Sequence, residues 1–572
     1  MMKLFSSLML VLALGVTSPA YASQDGEVTL KLIETSDVHG CYFSYDFISM
    51  KPRKGGLACV SSFVKEQREQ YGDGVVLMDN GDILQGQPIA YYYNYIDTTS
   101  VHVTSAMLNY MKYDVGTMGN HDVETGHAVY DRWVKQCAFP VLGANIVDNK
   151  TGEPYLTPYK IIERKGVKIA VLGMITPAIP SWLPEQLWNG LHFEDMEDCA
   201  RKWVKIIKEK ENPDVLIGLF HAGPEGNKLD NVVENGSGDV AKNVPGFDVV
   251  FMGHDHVRRC EKIVNVAGDS VLLVDPANAA RYVSDVTVKV TKAGGKLVRK
   301  SVEGAWADVS RYAADEDFMR EFAGQYQATV DFVSRKIGRI EETITTKDAY
   351  LGPSAFIDLL HQLQLDITGA DISFCAPLSF SAEIKKGDIY MSDMFNLYKY
   401  ENLLYTMKLT GKEIKDFLEM SYALWTNQMK SPDDHLMLFN EEDKGFGRFK
   451  NPSFNFDSAA GIIYTVDVTK PQGEKIKIER MANGEPFDMN KTYQTIDGFG
   501  ASYTWYSEQL SGTEVAQQGF DWIFNDAKFN ILRFRDLNCV YTNNYDDVLE
   551  GYKSNYYLYY NAAVERLSLI HI

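Results

Sequence analysis

Five short clusters of carboxylate, imidazole and amide side chains are the part of this sequence that could do chemistry. In chain order they are Asp37-Val38-His39, Asp79-Asn80-Gly81-Asp82, Gly119-Asn120-His121-Asp122, His221 and Gly253-His254-Asp255-His256. Side chains of these types are ligands for Mn, Zn, Fe, Co or Mg ions, and the mixture does not choose among these metals. One such cluster alone is more often structural, but five together predict a metal site.

Each cluster follows a short apolar run that predicts a buried strand. The runs cover residues 28–35, 75–78, 115–118, 215–220 and 247–252, and they alternate with amphipathic helical stretches. This alternation is typical of an α/β layer domain. Because ligands bind beyond the carboxyl ends of strands in such sheets, we expect the five clusters to meet in one crevice.

The spacing inside the clusters predicts how their side chains are presented. Residues two apart on an extended chain face the same side, so Asp37 with His39, and His254 with His256, are each expected to hold one ion as a pair. We expect the backbone to turn sharply at the glycines of the clusters, Gly81, Gly119 and Gly253.

The order of the clusters resembles the calcineurin-like metallophosphoesterases, whose pattern is Asp-x-His, Gly-Asp, Gly-Asn-His-Asp/Glu, His and Gly-His-x-His. Within this family the sequence looks most like the exported nucleotidases, which include 5′-nucleotidases and 2′,3′-cyclic-nucleotide 2′-phosphodiesterase/3′-nucleotidases. Residues 35–40, 55–57 and 81–86 match that branch, and the resemblance extends from about residue 27 to residue 492. It implies an enzyme that hydrolyses nucleotides to nucleoside and phosphate.

The resemblance also implies two divalent metal ions bridged by Asp82. The other ligands implied are, for the first ion, Asp37, His39 and His256, and for the second ion, Asn120, His221 and His254. Two such ions clamp a phosphoryl group and activate a water molecule. The implied catalytic residues are His121, which stabilises the transition state or protonates the leaving oxygen, and Asp122, which orients His121.

A second domain is predicted beyond an amphipathic helix over residues 315–336, where apolar residues recur every three or four positions. Its predicted elements are helices at 355–363 and 411–422 and a strand at 461–468. Residues 397–402, Leu-Tyr-Lys-Tyr-Glu-Asn, resemble the family segment that binds the nucleoside. The resemblance implies that Tyr400 stacks on the base and that Asn402 contacts the nucleoside, although both could be packing residues.

The substrate position stays open at the level of sequence. The Tyr-x-Asn form and residues 418–421 and 454–457 favour the cyclic-phosphodiesterase/3′-nucleotidase side. The Gly-Gly-x-Arg segment of ordinary 5′-nucleotidases is replaced by Ala-Pro-Leu-Ser-Phe at residues 376–380. Alternatives are a broader phosphatase or pyrophosphatase, and a nucleotide-binding protein without turnover.

The family pattern stops after Thr492. Residues 493–502 and 531–535 resemble the start of a glucosylceramidase-like glycoside hydrolase, and residues 567–572 match one translation of a sequencing-library adapter. Such barrels need about 200 residues or more, so the remaining segment is too short to be a working glycosidase. We interpret this region as a gene model that joins two genes; the alternative is a genuine, divergent C-terminus.

Composition and the first residues bear on partners and location. The chain has 572 residues and a net charge of −20, and such acidity argues against binding of polynucleotides. A charged residue, an apolar run and an Ala-x-Ala site at residues 1–22 predict a secretory signal, with no membrane span and a secreted or periplasmic protein. The seven scattered cysteines do not form a disulfide framework pattern.

These observations predict an α/β fold in several parts. The parts are a signal peptide (1–22), a layered αββα metallophosphoesterase domain (23–310), a linker helix (311–336), an incomplete α+β C-terminal nucleotidase domain (337–492), a glycoside-hydrolase-like fragment (493–566) and the adapter residues (567–572). The expected partner is a small nucleotide, and the oligomeric state stays open.

Overall fold

Twelve strands between residues 26 and 308 form the scaffold that positions the clusters. The computed structural model describes residues 26–226, 232–378, 382–398, 404–440 and 449–493, and the backbone of strands at 228–229, 499–503 and 529–534. In chain order the twelve strands are β1 (Gly26–Thr35), β2 (Val75–Asp79), β3 (Val115–Thr117), β4 (Val141–Leu142), β5 (Tyr159–Arg164), β6 (Val167–Ile175), β7 (Val215–His221), β8 (Val249–Met252), β9 (Arg259–Val264), β10 (Ser270–Asp275), β11 (Tyr282–Ala293) and β12 (Lys296–Asp308).

The twelve strands form two six-stranded sheets. The first has the order β12-β11-β1-β2-β3-β4 and the second β9-β10-β8-β7-β6-β5. Strands β1 to β4 run parallel in the first sheet, as do β6, β7, β8 and β10 in the second. Leu32 of β1 and Ile217 of β7 are fully buried in one apolar cluster that both sheets share. The carboxyl ends of the central strands therefore gather the clusters at one end of this sandwich.

Helices cover the outer faces of the sandwich. The cluster on the first sheet contains residues of helices Leu57–Tyr71, Val103–Met111, His127–Gln136, Glu316–Glu321 and Ala323–Val333, and that on the second contains residues of Met196–Lys210 and Ser237–Asn243. Shorter elements are the helices Pro88–Tyr91, Tyr92–Ile96, Asn120–Val123 and Ile179–Trp182, the 3-10 turns Gly72–Gly74, Glu185–Leu187 and Val309–Arg311, and the strands Tyr45–Asp46, Lys51–Pro52, Ile146–Asp148, Leu191–Phe193, Lys228–Leu229 and Val232–Val233. The predicted αββα layering is confirmed.

The predicted linker helix is interrupted and belongs to the first unit. Phe322, with φ of −102° and ψ of 18°, ends one helix and precedes the next. Its ring lies 4.8 Å from that of Phe318, and both side chains are buried in the core under the first sheet. This irregular turn lets the rings of Phe318 and Phe322 enter the same core. The regular spacing of apolar residues does not predict such a break in the helix.

The first unit also includes residues beyond the predicted boundary at 336. It extends to Thr345 and takes in residues 382–398. Strand Lys336–Ile340 pairs antiparallel with Gly387–Tyr390, Ile344–Thr345 pairs with Glu383–Ile384, and helix Met391–Leu397 follows. The first unit is therefore not a continuous stretch of chain.

The second unit, described by itself, is α+β. Its helices are Thr346–Ala349, Ala355–Thr368 and Gly411–Trp425, with a 3-10 turn at Ser453–Asn455. Its paired strands are Ser373–Cys375 with Ser458–Ala460, Leu409–Thr410 with Thr492–Tyr493, Ile462–Val466 with Ile476–Met481, and Phe499–Tyr503 with Phe529–Phe534. Trp425 and Phe456 stack in parallel at 5.8 Å in its core. The two longer helices and the strand near residue 462 lie where the sequence predicts them.

Within the described part of the chain, no helix has the length and apolarity needed to cross a membrane. Among the described residues, Cys59, Cys137, Cys199, Cys260 and Cys375 are free cysteines.

Candidate metal centre

The structure brings the predicted clusters together at the carboxyl ends of the strands of the first unit. Asp37 and His39 follow β1, Asp82 follows β2, and His221 is the last residue of β7. Asn120 begins a one-turn helix, Asn120–Val123, after β3. His254 and His256 follow β8.

One group of ligand atoms is formed by Asp37, His39 and His256. Their ligand atoms all lie within 4.8 Å of one another. The Nε2 atoms of His39 and His256 are 3.1 Å apart, and Nε2 of His256 is 3.2 Å from Oδ1 of Asp37. Three donors thus converge on one point.

A second group is formed by Asp82, His221 and His254, whose ligand atoms also lie within 4.8 Å of one another. Oδ1 of Asn120 joins them, at 3.1 Å from Nε2 of His221 and 2.8 Å from Nδ1 of His254. An amide oxygen, a carboxylate and two imidazoles therefore face one another.

Asp82 is the residue whose environment calls for a cation. Its Oδ1 accepts a hydrogen bond of 2.8 Å from the backbone N–H of His121, whereas its buried Oδ2 accepts none. Oδ2 lies 3.2 Å from Nε2 of His221. Burial raises the pKa of Asp82, but the charges of His221 and His121 outweigh it and hold the pKa well below its usual range. A buried, ionised and unsatisfied oxygen is costly unless it is paired, so the donor set fits divalent cations.

Hydrogen bonds on the other ring nitrogens fix the orientation of the histidines. Nδ1 of His39 lies 3.2 Å from the carbonyl oxygen of Gln85, and Nδ1 of His221 lies 2.6 Å from that of Asn80. Each bond leaves Nε2 facing its ligand group, as is usual for metal-binding histidines.

Two further partners of this kind escaped the sequence analysis. Nε2 of His254 lies 3.0 Å from Oε1 of Glu234, and Nδ1 of His256 lies 3.0 Å from the side-chain amide of Asn278. Both partners come from loops about 20 residues away in sequence, and no local motif marks them.

Backbone strain accompanies the ligands. Five of them have left-handed φ values between 48° and 77°: Asp37, His39, Asp82, His254 and His256. Such values are uncommon for residues with a Cβ and tend to cluster at functional sites. The prediction that His254 and His256 act as one pair is wrong, because the chain is not extended there and the two rings join different groups.

Of the three glycines in the clusters, Gly119 and Gly253 are required because other atoms approach their backbone closely, and not because the chain turns there. Gly81 has the left-handed φ of 85° expected at a sharp turn. At Gly119 an added Cβ would lie 2.2 Å from Oδ1 of Asp82, and at Gly253 it would lie 2.1 Å from Oγ of Ser36. A side chain at either position would displace a ligand loop.

His121 lies beside the ligand groups, with its ring centroid 5.4 Å from that of His39. Its Nδ1 lies 2.5 Å from Oε2 of Glu124. Burial lowers the pKa of His121, but the charge of Asp82 and the bond to Glu124 outweigh it and raise the pKa to about 9. Glu124 is therefore the acid that orients this ring.

Asp122, expected to orient His121, instead fixes the loop that carries Asp82. Its carboxylate accepts hydrogen bonds of 2.8–2.9 Å from the backbone N–H groups of Asp82, Ile83, Leu84 and Gly119. Its contribution to this geometry is to hold the loop of Asp82 in place. The other predicted substrate residues, Tyr400 and Asn402, lie outside the described residues.

Comparison with known families agrees with this geometry. Residues 30–258 match the family model of the calcineurin-like phosphoesterases, and residues 336–497 match that of the 5′-nucleotidase C-terminal domain. The chain combines these two domains. The match of the first domain identifies the protein as a metal-dependent phosphoester hydrolase.

Two relatives that match about four fifths of this chain are nucleotide phosphoesterases by name. The phosphoesterase is 28% identical over 512 residues to a 2′,3′-cyclic-nucleotide 2′-phosphodiesterase/3′-nucleotidase of Haemophilus influenzae, covering 81% of this chain and 76% of the relative. It is 28% identical over 505 residues to the trifunctional nucleotide phosphoesterase YfkN of Bacillus subtilis, covering 80% of this chain but about a third, 34%, of that longer protein.

A solved structure shows the same fold. A candidate 5′-nucleotidase from Staphylococcus aureus superposes with a TM-score of 0.68 at 23% identity, over 81% of this chain and 89% of that one. The fold prediction is thereby confirmed.

Proposed function

We propose that this phosphoesterase is an exported, dinuclear-metal enzyme that releases phosphate from nucleotides, with 2′,3′-cyclic and 3′-nucleotides as its main substrates. The observation that carries the proposal is the presence of two ligand groups in the first unit, one of which contains Asp82, whose buried Oδ2 accepts no hydrogen bond. Asp37, His39, Asp82 and His256 would hold the first ion, and Asp82, Asn120, His221 and His254 would hold the second.

The chain's own residues supply the rest of the chemistry. Two divalent ions, when bound, supply positive charge that orients the phosphoryl group and acidifies water. Glu124 holds the Nδ1 side of His121, so that Nε2 is directed away from Glu124. From there His121 donates a hydrogen bond to the phosphoryl group or a proton to the leaving oxygen. Asp122 keeps Asp82 in place.

The choice of substrate rests on the relatives. Three relatives, each matched over more than three quarters of its own length, are 2′,3′-cyclic-nucleotide 2′-phosphodiesterase/3′-nucleotidases by name. The 5′-nucleotidase of Vibrio cholerae matches at a lower identity of 24%. Tyr400 and Asn402, which lie outside the described residues, are proposed to contact the nucleoside.

Export is proposed from residues 1–22, whose charged start, apolar run and Ala-x-Ala site are typical of a secretory signal. These residues lie outside the described part of the chain.

The test is phosphate release by the purified protein after metal removal and again with manganese or zinc restored. The panel is 2′,3′-cyclic AMP, 3′-AMP, 5′-AMP and an aryl phosphate. We expect metal-dependent cleavage of the first two in preference to 5′-AMP. Preference for 5′-AMP would assign the enzyme to the 5′-nucleotidases, and metal-independent turnover would refute the proposal.

A further inference from the structure

An exposed tryptophan lies against one of the ligand histidines of the first unit. Trp182 ends the one-turn helix Ile179–Trp182, which follows the carboxyl end of β6. Its ring centroid is 5.4 Å from that of His254, with 31° between the ring planes. The residue is nevertheless 38% exposed. A large aromatic surface is thus open to solvent beside the ligand groups.

The position of Trp182 is fixed by contacts on both sides of it. Ile179 is fully buried in the core of the first unit, and the N–H of Leu183 donates to its carbonyl oxygen at 2.9 Å. Before the turn, Oγ1 of Thr176 donates to the carbonyl oxygen of Glu234, whose carboxylate contacts His254. The same residue therefore ties the Trp182 loop and the ligand ring together.

This exposure is not explained by packing alone. Burying an aromatic side chain is favourable, so a fixed but open indole next to polar ligands forgoes that gain. Trp188, on the same loop, shows the usual arrangement: its Nε1 donates to the carbonyl oxygen of Leu183 at 2.9 Å, and its ring packs against Phe193 at 6.1 Å. Trp182, by contrast, leaves part of its ring uncovered beside the ligand groups.

We propose that Trp182 is a specificity residue against which the nucleoside of the substrate packs while its phosphate is held at the ligand groups. The inference rests on the proposed function, because it assumes a nucleotide substrate. Bases stack on aromatic side chains whatever their sequence, so the contact selects nucleotides over phosphate esters without a base. In an ester at the 2′ or 3′ position, a single oxygen atom separates phosphorus from the ribose ring. A nucleoside whose phosphate is held at the ligand groups must then lie close to His254.

The experiment compares substrates with and without a base in Trp182→Ala and Trp182→Phe. We expect Trp182→Ala to raise KM for 3′-AMP about tenfold with little change in kcat, since loss of base stacking weakens binding by about that factor. It should leave kcat/KM for glycerol 2-phosphate within about twofold and metal content unchanged. Trp182→Phe, which keeps an aromatic face, should recover most of the affinity. Trp188→Phe is the matched control and should leave the ratio between the two substrates unchanged.

A second readout does not depend on nucleotide turnover. Adenosine should inhibit hydrolysis of glycerol 2-phosphate competitively, with an inhibition constant that rises about tenfold in Trp182→Ala. If 3′-AMP is not cleaved by the wild-type protein, the proposed function fails, yet the adenosine constants still decide the role of Trp182. An unchanged adenosine constant overturns the inference. So does an equal loss on both substrates accompanied by loss of metal, because Trp182 would then only support His254.

Discussion

Asp82 is proposed to be shared by both metal sites, and its substitution tests that proposal most directly. Its Oδ1 is engaged by the backbone of His121 and its Oδ2 faces His221 without a hydrogen bond. We expect Asp82→Asn to lower turnover of every substrate more than about 100-fold, since changes to mere supporting residues of metal sites already cost 10–100-fold. Metal analysis after dialysis should show that occupancy of both sites falls together.

Asp79 provides the matched control for that substitution. It is the last residue of β2, three residues before Asp82, but burial raises its pKa to about 8, with Asp122 adding to the shift. It is therefore protonated at neutral pH, and Asp79→Asn removes no charge there. Near wild-type activity in Asp79→Asn beside an inactive Asp82→Asn would support the assignment. Equal losses would attribute both effects to folding of the loop.

Sequence could identify the ligands but not the residues that orient them. Metal ligands have restricted chemical types, and their clusters fall directly after apolar runs, so position and type coincide. Glu234 and Asn278 are ordinary polar residues whose roles arise only from tertiary contacts with His254 and His256. Glu124 contacts His121 locally, three residues along the chain, but Asp122 is nearer to His121 in sequence. The left-handed backbone of five ligands is equally invisible in the sequence, because none of them is glycine.

At the level of elements, the helix Ala355–Thr368 carries a histidine whose burial links stability to pH. Nδ1 of His361 contacts Oγ of Ser373 at 2.9 Å, and Nε2 contacts Oγ of Ser458 at 3.1 Å, which ties the helix to two paired strands. Burial lowers the pKa of His361 to about 4. His361 therefore stays neutral in the folded protein at pH values where, in the unfolded chain, it is protonated with its ordinary pKa of about 6.5.

The sign follows from that difference. The neutral ring contributes its full stability above about pH 6.5, and this contribution is lost as pH falls toward about 4, by up to about 3 kcal/mol. Urea unfolding at pH 7.5 and 4.5 should show a smaller loss in His361→Gln than in the wild type. Burial raises the pKa of nearby Asp457 to about 6, which acts in the opposite direction in both proteins. If the two proteins lose stability equally, His361 is not the group responsible.

Elements with one strong periodicity were predictable, and those set by packing were not. The buried strands are continuous apolar runs in the sequence because both faces of each sheet are buried. One face packs against the other sheet, and the opposite face is covered by helices. The interruption at Phe322 and the pairing of Lys336–Ile340 with Gly387–Tyr390 join residues whose sequence gives no sign of either event. Apolar spacing indicates that residues 315–336 are helical, but it does not indicate which core they enter.

At the level of the whole molecule, the first unit is built from two separate stretches of chain. Phe395, in the stretch 382–398, packs against Tyr91 at 5.4 Å and Phe332 at 6.3 Å, all within the first unit. The sequence analysis predicted a domain boundary near residue 336, because the predicted linker helix ends there and the second domain was expected to begin after it. A protein cut at that boundary would lack part of its first unit.

This architecture predicts where a single core substitution acts. We expect Phe395→Ala to destabilise the first unit by about 2 kcal/mol, less than the 3–5 kcal/mol of a fully buried phenylalanine because the ring is only partly buried. Hydrogen exchange followed segment by segment should quicken in the helix Ala323–Val333, which carries Phe332. Phe374→Ala is the matched control, since its partly buried ring packs against Phe417 at 4.9 Å in the second unit. It should quicken exchange in Gly411–Trp425 instead. Faster exchange in Gly411–Trp425 after Phe395→Ala, with Ala323–Val333 unchanged, would place residues 382–398 in the second unit, because the effect of a lost contact is largest in the cooperative unit that contains it.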